Sequence, residues 1–179
     1  PFEILLVGTG GSARRLWDAD DGVSYFRTAA DYRKLRELSE RGSDFVVVGG
    51  GFIGSEVAAA LAMNGKRVAI IFPSNAIGSR VYPQPLAAFL NSYYQEKGVT
   101  VLASETVKSV RRMGDKMIVT TGKGLEIPAD GVVAGLGILP NTELAEQAGL
   151  KVDNGIVVDE LLRSSDPDIY AEGDVANFY

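Results

Sequence analysis

The 179-residue chain contains no cysteine and no histidine. Those two zeros exclude, within this segment, disulfides, cysteine-ligated zinc, thiolate nucleophiles, Cys-x-x-Cys redox pairs, Ser-His-Asp triads and imidazole bases. Any chemistry must then rest on a cofactor or a carboxylate; no metal site is expected, and no particular side chain is named as catalytic. Cationic excess is missing too: 18 Lys+Arg stand against 23 Asp+Glu, a formal net charge of −5. A nucleic-acid partner needs a basic face, and the densest basic pairs, Arg14-Arg15 and Arg111-Arg112, read as solvated surface. No apolar run approaches the roughly 18 residues of a membrane span. The start, Pro1-Phe2-Glu3-Ile4, shows neither an initiator Met nor a signal peptide and reads as the edge of an excised piece. A reducing compartment is expected, cytoplasmic, with the mitochondrion as the alternative.

What is present is an ordinary globular composition, 46% hydrophobic and 23% charged, enough to build a core. Ile4 to Val7 reads as a buried strand running into Gly8-Thr9-Gly10-Gly11, and Ser12 to Thr28 as a connecting loop. Asp31 is the expected N-cap of a helix ending near Glu40, with Gly42 as its stop. Phe45 to Val48 is an apolar strand, Ser55 to Asn64 an alanine-rich helix, and Arg67 to Phe72 a second strand. That is a βαβ unit. A helix is expected from Pro83 and Pro85 to Lys97, burying Leu86, Phe89, Leu90 and Tyr93, followed by a third parallel strand over Val99 to Leu102. Then the rhythm shortens. Thr106 to Arg111, Lys116 to Thr120 and Gly124 to Ile127 read as an antiparallel meander. Val132 to Gly137 returns as a strand, Glu143 to Gly149 as a short helix, and Gly155 to Val158 and Ile169 to Glu172 as the last strands.

The βαβ turn holds the sharpest signal. Gly49-x-Gly51-x-x-Gly54 is a GxGxxG between an apolar strand and a helix, the context in which that string binds a dinucleotide. Gly49 permits the turn, Gly51 lets backbone approach a pyrophosphate, and Gly54 lets the helix pack closely. The free N–H groups and positive dipole end of the helix would face the phosphates. An acid about 20 residues on would accept the adenosine ribose of NAD. The chain has Phe72-Pro73-Ser74-Asn75 there, and Arg80 is the only nearby partner for a 2′-phosphate. NADH and NADPH both stay open. Glu56 either faces the nicotinamide end of the cofactor or complements the helix dipole from the first turn.

These motifs resemble a family. Val46 to Glu56 is similar to the NAD(P)H-binding loop of the FAD-dependent pyridine nucleotide oxidoreductases. Leu5-Leu6-Val7-Gly8-Thr9-Gly10-Gly11 resembles that family's "ATG" segment, with Gly8 in the Ala place. Gly135-Leu136-Gly137-Ile138-Leu139-Pro140-Asn141 resembles its segment beside the nicotinamide, and Asp166 to Asp174 its second flavin motif. Within the family the nearest resemblance is to apoptosis-inducing factor and ferredoxin-reductase-like flavoproteins.

The resemblance implies an α/β fold: an FAD/NAD(P)-binding Rossmann-like domain whose parallel sheet has helices on one side and an antiparallel β-meander on the other, a three-layer ββα arrangement. It implies a flavin-domain edge and linker over 1–23, an NAD(P)H-binding domain over 24–139, and a return segment to the flavin domain over 140–179. It also implies binding positions for the dinucleotide at Gly49, Gly51, Phe52, Ile53, Gly54, Glu56, Ser74, Arg80, Gly135, Leu136 and Gly137. Thr9, Gly10, Gly173 and Asp174 would touch FAD, with Asp174 on the ribityl chain. The implied chemistry is hydride transfer from NADH or NADPH to FAD and electron transfer to an acceptor such as a ferredoxin or rubredoxin, or a redox-sensing scaffold in the manner of apoptosis-inducing factor. The partners implied are the flavin and C-terminal domains of the same protein. This segment alone is expected to bind dinucleotide without turning it over.

Overall fold

The computed structural model describes residues 2–178. They form two compact units, one taking in the chain through Arg14 and from Ile138 onward, the other Arg15–Gly137. In chain order, β1 (Leu5–Val7) and β2 (Gly11–Ala13) belong to the first unit. The second holds α1 (Ala29–Arg41), β3 (Asp44–Val48), α2 (Phe52–Met63), β4 (Arg67–Phe72), α3 (Gln84–Glu96), β5 (Thr100–Ala103), β6 (Val107–Met113), β7 (Lys116–Thr121), β8 (Glu126–Ala129) and β9 (Gly131–Ala134). The chain then returns to the first unit through β10 (Ile138–Pro140), α4 (Glu143–Gln147), β11 (Ile156–Val157), β12 (Ile169–Ala171) and β13 (Ala176–Asn177).

The second unit is built on a four-stranded sheet in the order β5-β4-β3-β9, with every pairing parallel. A parallel sheet covered on both faces needs strands that are apolar throughout, and Phe45-Val46-Val47-Val48 is such a run. Alternate side chains face opposite ways. Phe45 and Val47 pack with Leu35 of α1 and with Val57, Ala58 and Leu61 of α2. Val46 and Val48 pack instead with Val110, Met117 and Val119 of the β6-β7-β8 meander. Helices, sheet and meander are thus three layers, the α/β arrangement the resemblance implies. Each fully buried Val or Ile contributes roughly 1.5–3 kcal/mol.

Several local expectations change. The strand over Ile4 to Val7 is not buried: Ile4, Leu5 and Leu6 are exposed, since β1 has a single parallel neighbour, β12. The N-cap of α1 is Thr28, not Asp31. Asp31 sits three residues in, where its carboxylate accepts from the Thr28 N–H at 2.7 Å while Thr28 Oγ1 accepts from the Asp31 N–H at 3.2 Å. This reciprocal box satisfies two helix-end donors, and the Thr28 hydroxyl lowers the Asp31 pKa. The buried face of α3 is turned from the expected one: Ala87 is buried and Leu90 and Tyr94 pack on the helix-side core, while Leu86, Phe89 and Tyr93 are exposed. Segment 12–28 is more than a loop. It contributes β2, and Ala19 bridges Val110 while Ser24 bridges Val133. Residues 15–23 are therefore part of the second unit.

Opposite the glycine loop, at the start of β3 and β4, Asp44 takes a two-bond contact from Arg67 at 2.6 and 2.8 Å. Lys116 of the meander reaches Asp130 at 2.7 Å and Asp44 at 3.4 Å. The Lys116 ammonium and the N–H groups of Asp44 and Ser43 hold the Asp130 carboxyl down at about 2. This network ties meander to sheet. In the first unit β1 and β12 pair in parallel, β10 runs antiparallel to β2, and β11 pairs with β13. Its own small core is Ala145, Ile156, Val158, Ala171 and Val175.

Candidate functional site

The chain leaves β3 at Val48 and enters the glycine loop, where each glycine has a distinct steric setting. Gly49 has φ +114° and donates its N–H to Ile71 O at 2.8 Å. A Cβ there would fall 2.3 Å from Gly135 O. Gly54, in the first turn of α2, lies so close to the loop that a Cβ would meet Gly49 O at 1.9 Å. Gly50 backs onto the Phe72 ring, with a Cβ at 2.7 Å. Gly51 differs from all of these: a Cβ would meet nothing within 4 Å, and its φ of −84° and ψ of −169° suit any residue.

Gly51 is the N-cap of α2, and no side chain caps that end. The helix therefore begins at Phe52, three residues earlier than expected. Its first N–H groups have no intrahelical acceptor, and the 12-residue helix places its positive dipole end beside them. Phe52 and Ile53 are exposed. Such an end holds an anion. Ser55 turns its hydroxyl back to Gly51 O and Phe52 O, and Tyr94 of α3 donates to Ser55 O at 3.0 Å. Burial pushes the Tyr94 phenol up, keeping it a donor. Glu56 lies beyond the first turn, which contains no acid, so it does not complement the helix end. It lines a cavity of about 610 Å³ with Phe26, Tyr32 and Ile53.

The segment after β4 is fastened to the same loop. Gly78 donates to Gly50 O at 2.8 Å, and Phe52 meets the Tyr82 ring edge-on with centroids 6.1 Å apart. Asn91 of α3 clamps it from behind, accepting from the Ile77 N–H and donating to Asn75 O. Sequence reasoning missed Asn91, a polar residue in an apolar helical stripe. Ser74 donates to Ala76 O at 3.1 Å, and Arg80 is exposed. After β9, Gly135 rests on Gly54, a Cβ there lying 2.9 Å from Gly54 N. Leu136 packs into the meander-side core, and Gly137 takes φ +84° in open space.

The remaining candidates belong to the first unit. The parallel pairing of Val7 with Ala171 makes Gly8-Thr9-Gly10 and Glu172-Gly173-Asp174 leave adjacent strands at the same end. Gly173 has φ +69° with nothing within 4 Å of a Cβ, and Asp174 is exposed. Asn141 fixes the other turn: it donates to Thr9 O at 2.9 Å and accepts from Ser12 Oγ at 2.8 Å, while Thr9 Oγ1 donates to Asn141 O at 2.7 Å. Among the described residues no acidic cluster could hold a metal ion, and no helix is long and apolar enough to cross a membrane.

The fold and loop define an α/β nucleotide-binding domain, and comparison with known proteins narrows that class. The profile of the family described as "Pyridine nucleotide-disulphide oxidoreductase" matches residues 1–179. The ferredoxin–NAD(+) reductase component of the anthranilate 1,2-dioxygenase system of Burkholderia cepacia is 41% identical over 98% of this chain and 44% of its own length. Rubredoxin-NAD(+) reductase of Pseudomonas putida is 37% identical over 98% of the chain and 46% of its own. The crystal structure of a ferredoxin reductase from Rhodopseudomonas palustris superposes with a TM-score of 0.93 at 31% identity, covering 99% of this chain and 45% of the other. The chain belongs to the pyridine nucleotide-disulphide oxidoreductase family. It spans somewhat under half the length of these relatives.

Proposed function

We propose that this chain is the NAD(P)H-binding domain of an FAD-dependent oxidoreductase that passes electrons to a ferredoxin- or rubredoxin-type acceptor. When bound, the dihydronicotinamide supplies a hydride and the flavin accepts it. The chain's own residues bind and orient. Gly51 and the first N–H groups of α2 would take the pyrophosphate, with Gly49 and Gly54 holding that end against the sheet. Gly135 to Gly137 would border the nicotinamide, with Glu56 beyond them. Thr9-Gly10 and Gly173-Asp174 would take the flavin, Asp174 toward the ribityl chain, since both turns leave adjacent strands together and Gly173 keeps one backbone face open. The acceptor class rests on the named activities of the ferredoxin and rubredoxin reductases that resemble the chain.

The observation that carries the reading is the contrast within the loop. Gly49, Gly50 and Gly54 are each required by the protein's own packing, whereas Gly51 borders open space at an uncapped helix end. Isothermal titration of the chain with NADH and with NADPH tests it. Saturable heat from at least one, competed by ADP-ribose, is expected; absence of binding by both at millimolar concentration refutes the assignment.

A further inference from the structure

The glycine loop is packed tightly at its two ends and loosely at its tip. Gly49 and Gly54 lie against each other and against Gly135. At Gly51 a Cβ would meet nothing within 4 Å, and no side chain caps α2 there. Two contacts reach that tip from the turn after β4. The Gly78 N–H donates to Gly50 O at 2.8 Å. The Phe52 ring, exposed at the first position of α2, meets the Tyr82 ring edge-on, with centroids 6.1 Å apart and planes at 88°.

Tyr82 joins these two contacts. Its N–H donates to Gly78 O at 2.8 Å, which closes one turn of chain and folds the ring back over Gly78. A Cβ at Gly78 would fall 2.4 Å from Tyr82 Cδ2 and 2.7 Å from Cε2, and Gly78 has φ +67°, so glycine is required there on both counts. One ring thus covers the residue that bonds Gly50 and touches the residue that opens α2. Both contacts belong to the ring, not to the hydroxyl. The turn is anchored from α3 in its own right, because Asn91 bonds the backbone of Ile77 and Asn75. The fixed helix α3 therefore holds the turn, and the turn holds the start of α2 through Tyr82.

We propose that Tyr82 is a positioning residue for the dinucleotide: its ring holds Gly50 and Phe52, and with them the first free N–H groups of α2, in the binding arrangement before the ligand arrives. The inference rests on the dinucleotide-binding reading above and adds to it a residue outside the glycine motif. A tip left unheld has to be ordered at the moment of binding, and that cost is subtracted from the affinity.

The test is calorimetric titration of the chain with NADH and NADPH, repeated on Tyr82→Ala, Tyr82→Leu and Tyr82→Phe, with thermal melts to show that each variant is folded at the titration temperature. Whichever nucleotide binds should bind about three- to tenfold more weakly to Tyr82→Ala, the loss of one edge-on aromatic contact. Tyr82→Leu still covers Gly78 but offers Phe52 no ring; it should lose as much, and it carries the test should the alanine variant not fold. Tyr82→Phe should restore the affinity to within about twofold. Phe52→Ala combined with Tyr82→Ala should lose no more than the larger single loss, since both remove one contact. Without nucleotide, the Gly78 amide should exchange its hydrogen faster in Tyr82→Ala than in the unaltered chain. A lowered Tm with unchanged affinity in Tyr82→Ala or Tyr82→Leu makes the ring merely structural and overturns the proposal while leaving dinucleotide binding intact. So do a Tyr82→Phe loss equal to that of Tyr82→Ala, losses that add in full in the double variant, and unchanged Gly78 exchange. Failure of the unaltered chain to bind either nucleotide overturns the dinucleotide reading and the proposal together.

Discussion

Adding one carbon to Gly51 and adding one to Gly54 should have opposite consequences, although the two glycines belong to one motif. At Gly54 a Cβ would sit 1.9 Å from Gly49 O and 2.9 Å from Gly49 C. The oxygen is backbone and cannot rotate aside, so the helix must move by roughly 1.5 Å to restore contact distance. Overpacking of this kind costs about 1–3 kcal/mol, with the upper end expected where both sides are backbone. The helix-propensity gain of Ala over Gly, roughly 0.5–1 kcal/mol, offsets part of it. A net loss of about 2 kcal/mol should lower Tm by roughly 4–8 °C for a chain of this size. At Gly51 the added carbon meets nothing within 4 Å and the backbone is already extended. The entropy removed from the unfolded chain, about 0.4–1 kcal/mol, roughly cancels the poorer capping of Ala, so Tm should hold. Binding should not, because the methyl occupies the space through which the pyrophosphate reaches the N–H groups. Loss of one charged hydrogen bond, about 1.5–3 kcal/mol, means roughly 10- to 100-fold weaker binding. Differential scanning calorimetry and titration calorimetry on Gly51→Ala and Gly54→Ala give all four quantities. Undiminished nucleotide affinity in Gly51→Ala refutes the reasoning, as does a Tm loss in Gly51→Ala equal to that of Gly54→Ala.

Two further outcomes follow from the packing. The Asp130 carboxyl, held at about 2 against 3.8 for the free group, contributes stability that is full above pH 4 and is lost as pH falls through 2. After allowance for partial exposure this is about 1–2 kcal/mol; urea titrations should show Asp130→Asn less stable by that amount at pH 7 and a flatter acid limb, and a limb unchanged in slope contradicts it. The orientation of α3 is tested by Ala87→Leu, which overfills the core for about 1–3 kcal/mol, against Phe89→Ala, which should change stability by less than about 0.5 kcal/mol. The reverse ranking in chemical denaturation would show the expected apolar stripe to be the buried one after all.

What could be read from the sequence was what short-range chemistry decides. The apolar runs Phe45 to Val48 and Arg67 to Phe72, rich in β-branched residues and bounded by glycine turns, read as strands covered on both faces, and β3 and β4 fall there. The meander was legible for the same reason, because alternation and glycine turns are local. The α3 face was not. Leu86, Phe89, Leu90 and Tyr93 form a helical stripe as good as the stripe of Ala87, Leu90 and Tyr94. What chooses between them is Asn91 bonded to the Ile77 and Asn75 backbone, a contact between elements that no periodicity encodes. Thr28 and Asp31 were equally ambiguous, since either residue type caps a helix and only the reciprocal geometry of both assigns the roles. The Lys116 contacts to Asp44 and Asp130 join elements that no local pattern relates.

The glycine loop shows how a motif and a structure divide the explanation. Its spacing announces a strand-to-helix turn with close packing, and Gly49 and Gly54 satisfy that demand against each other and against Gly135. A turn that bound nothing would need those positions, whereas at position 51 any residue fits the backbone, no neighbour is near, and glycine serves only as the cap of α2. The open space at Gly51 is where the proposed pyrophosphate would approach the helix end.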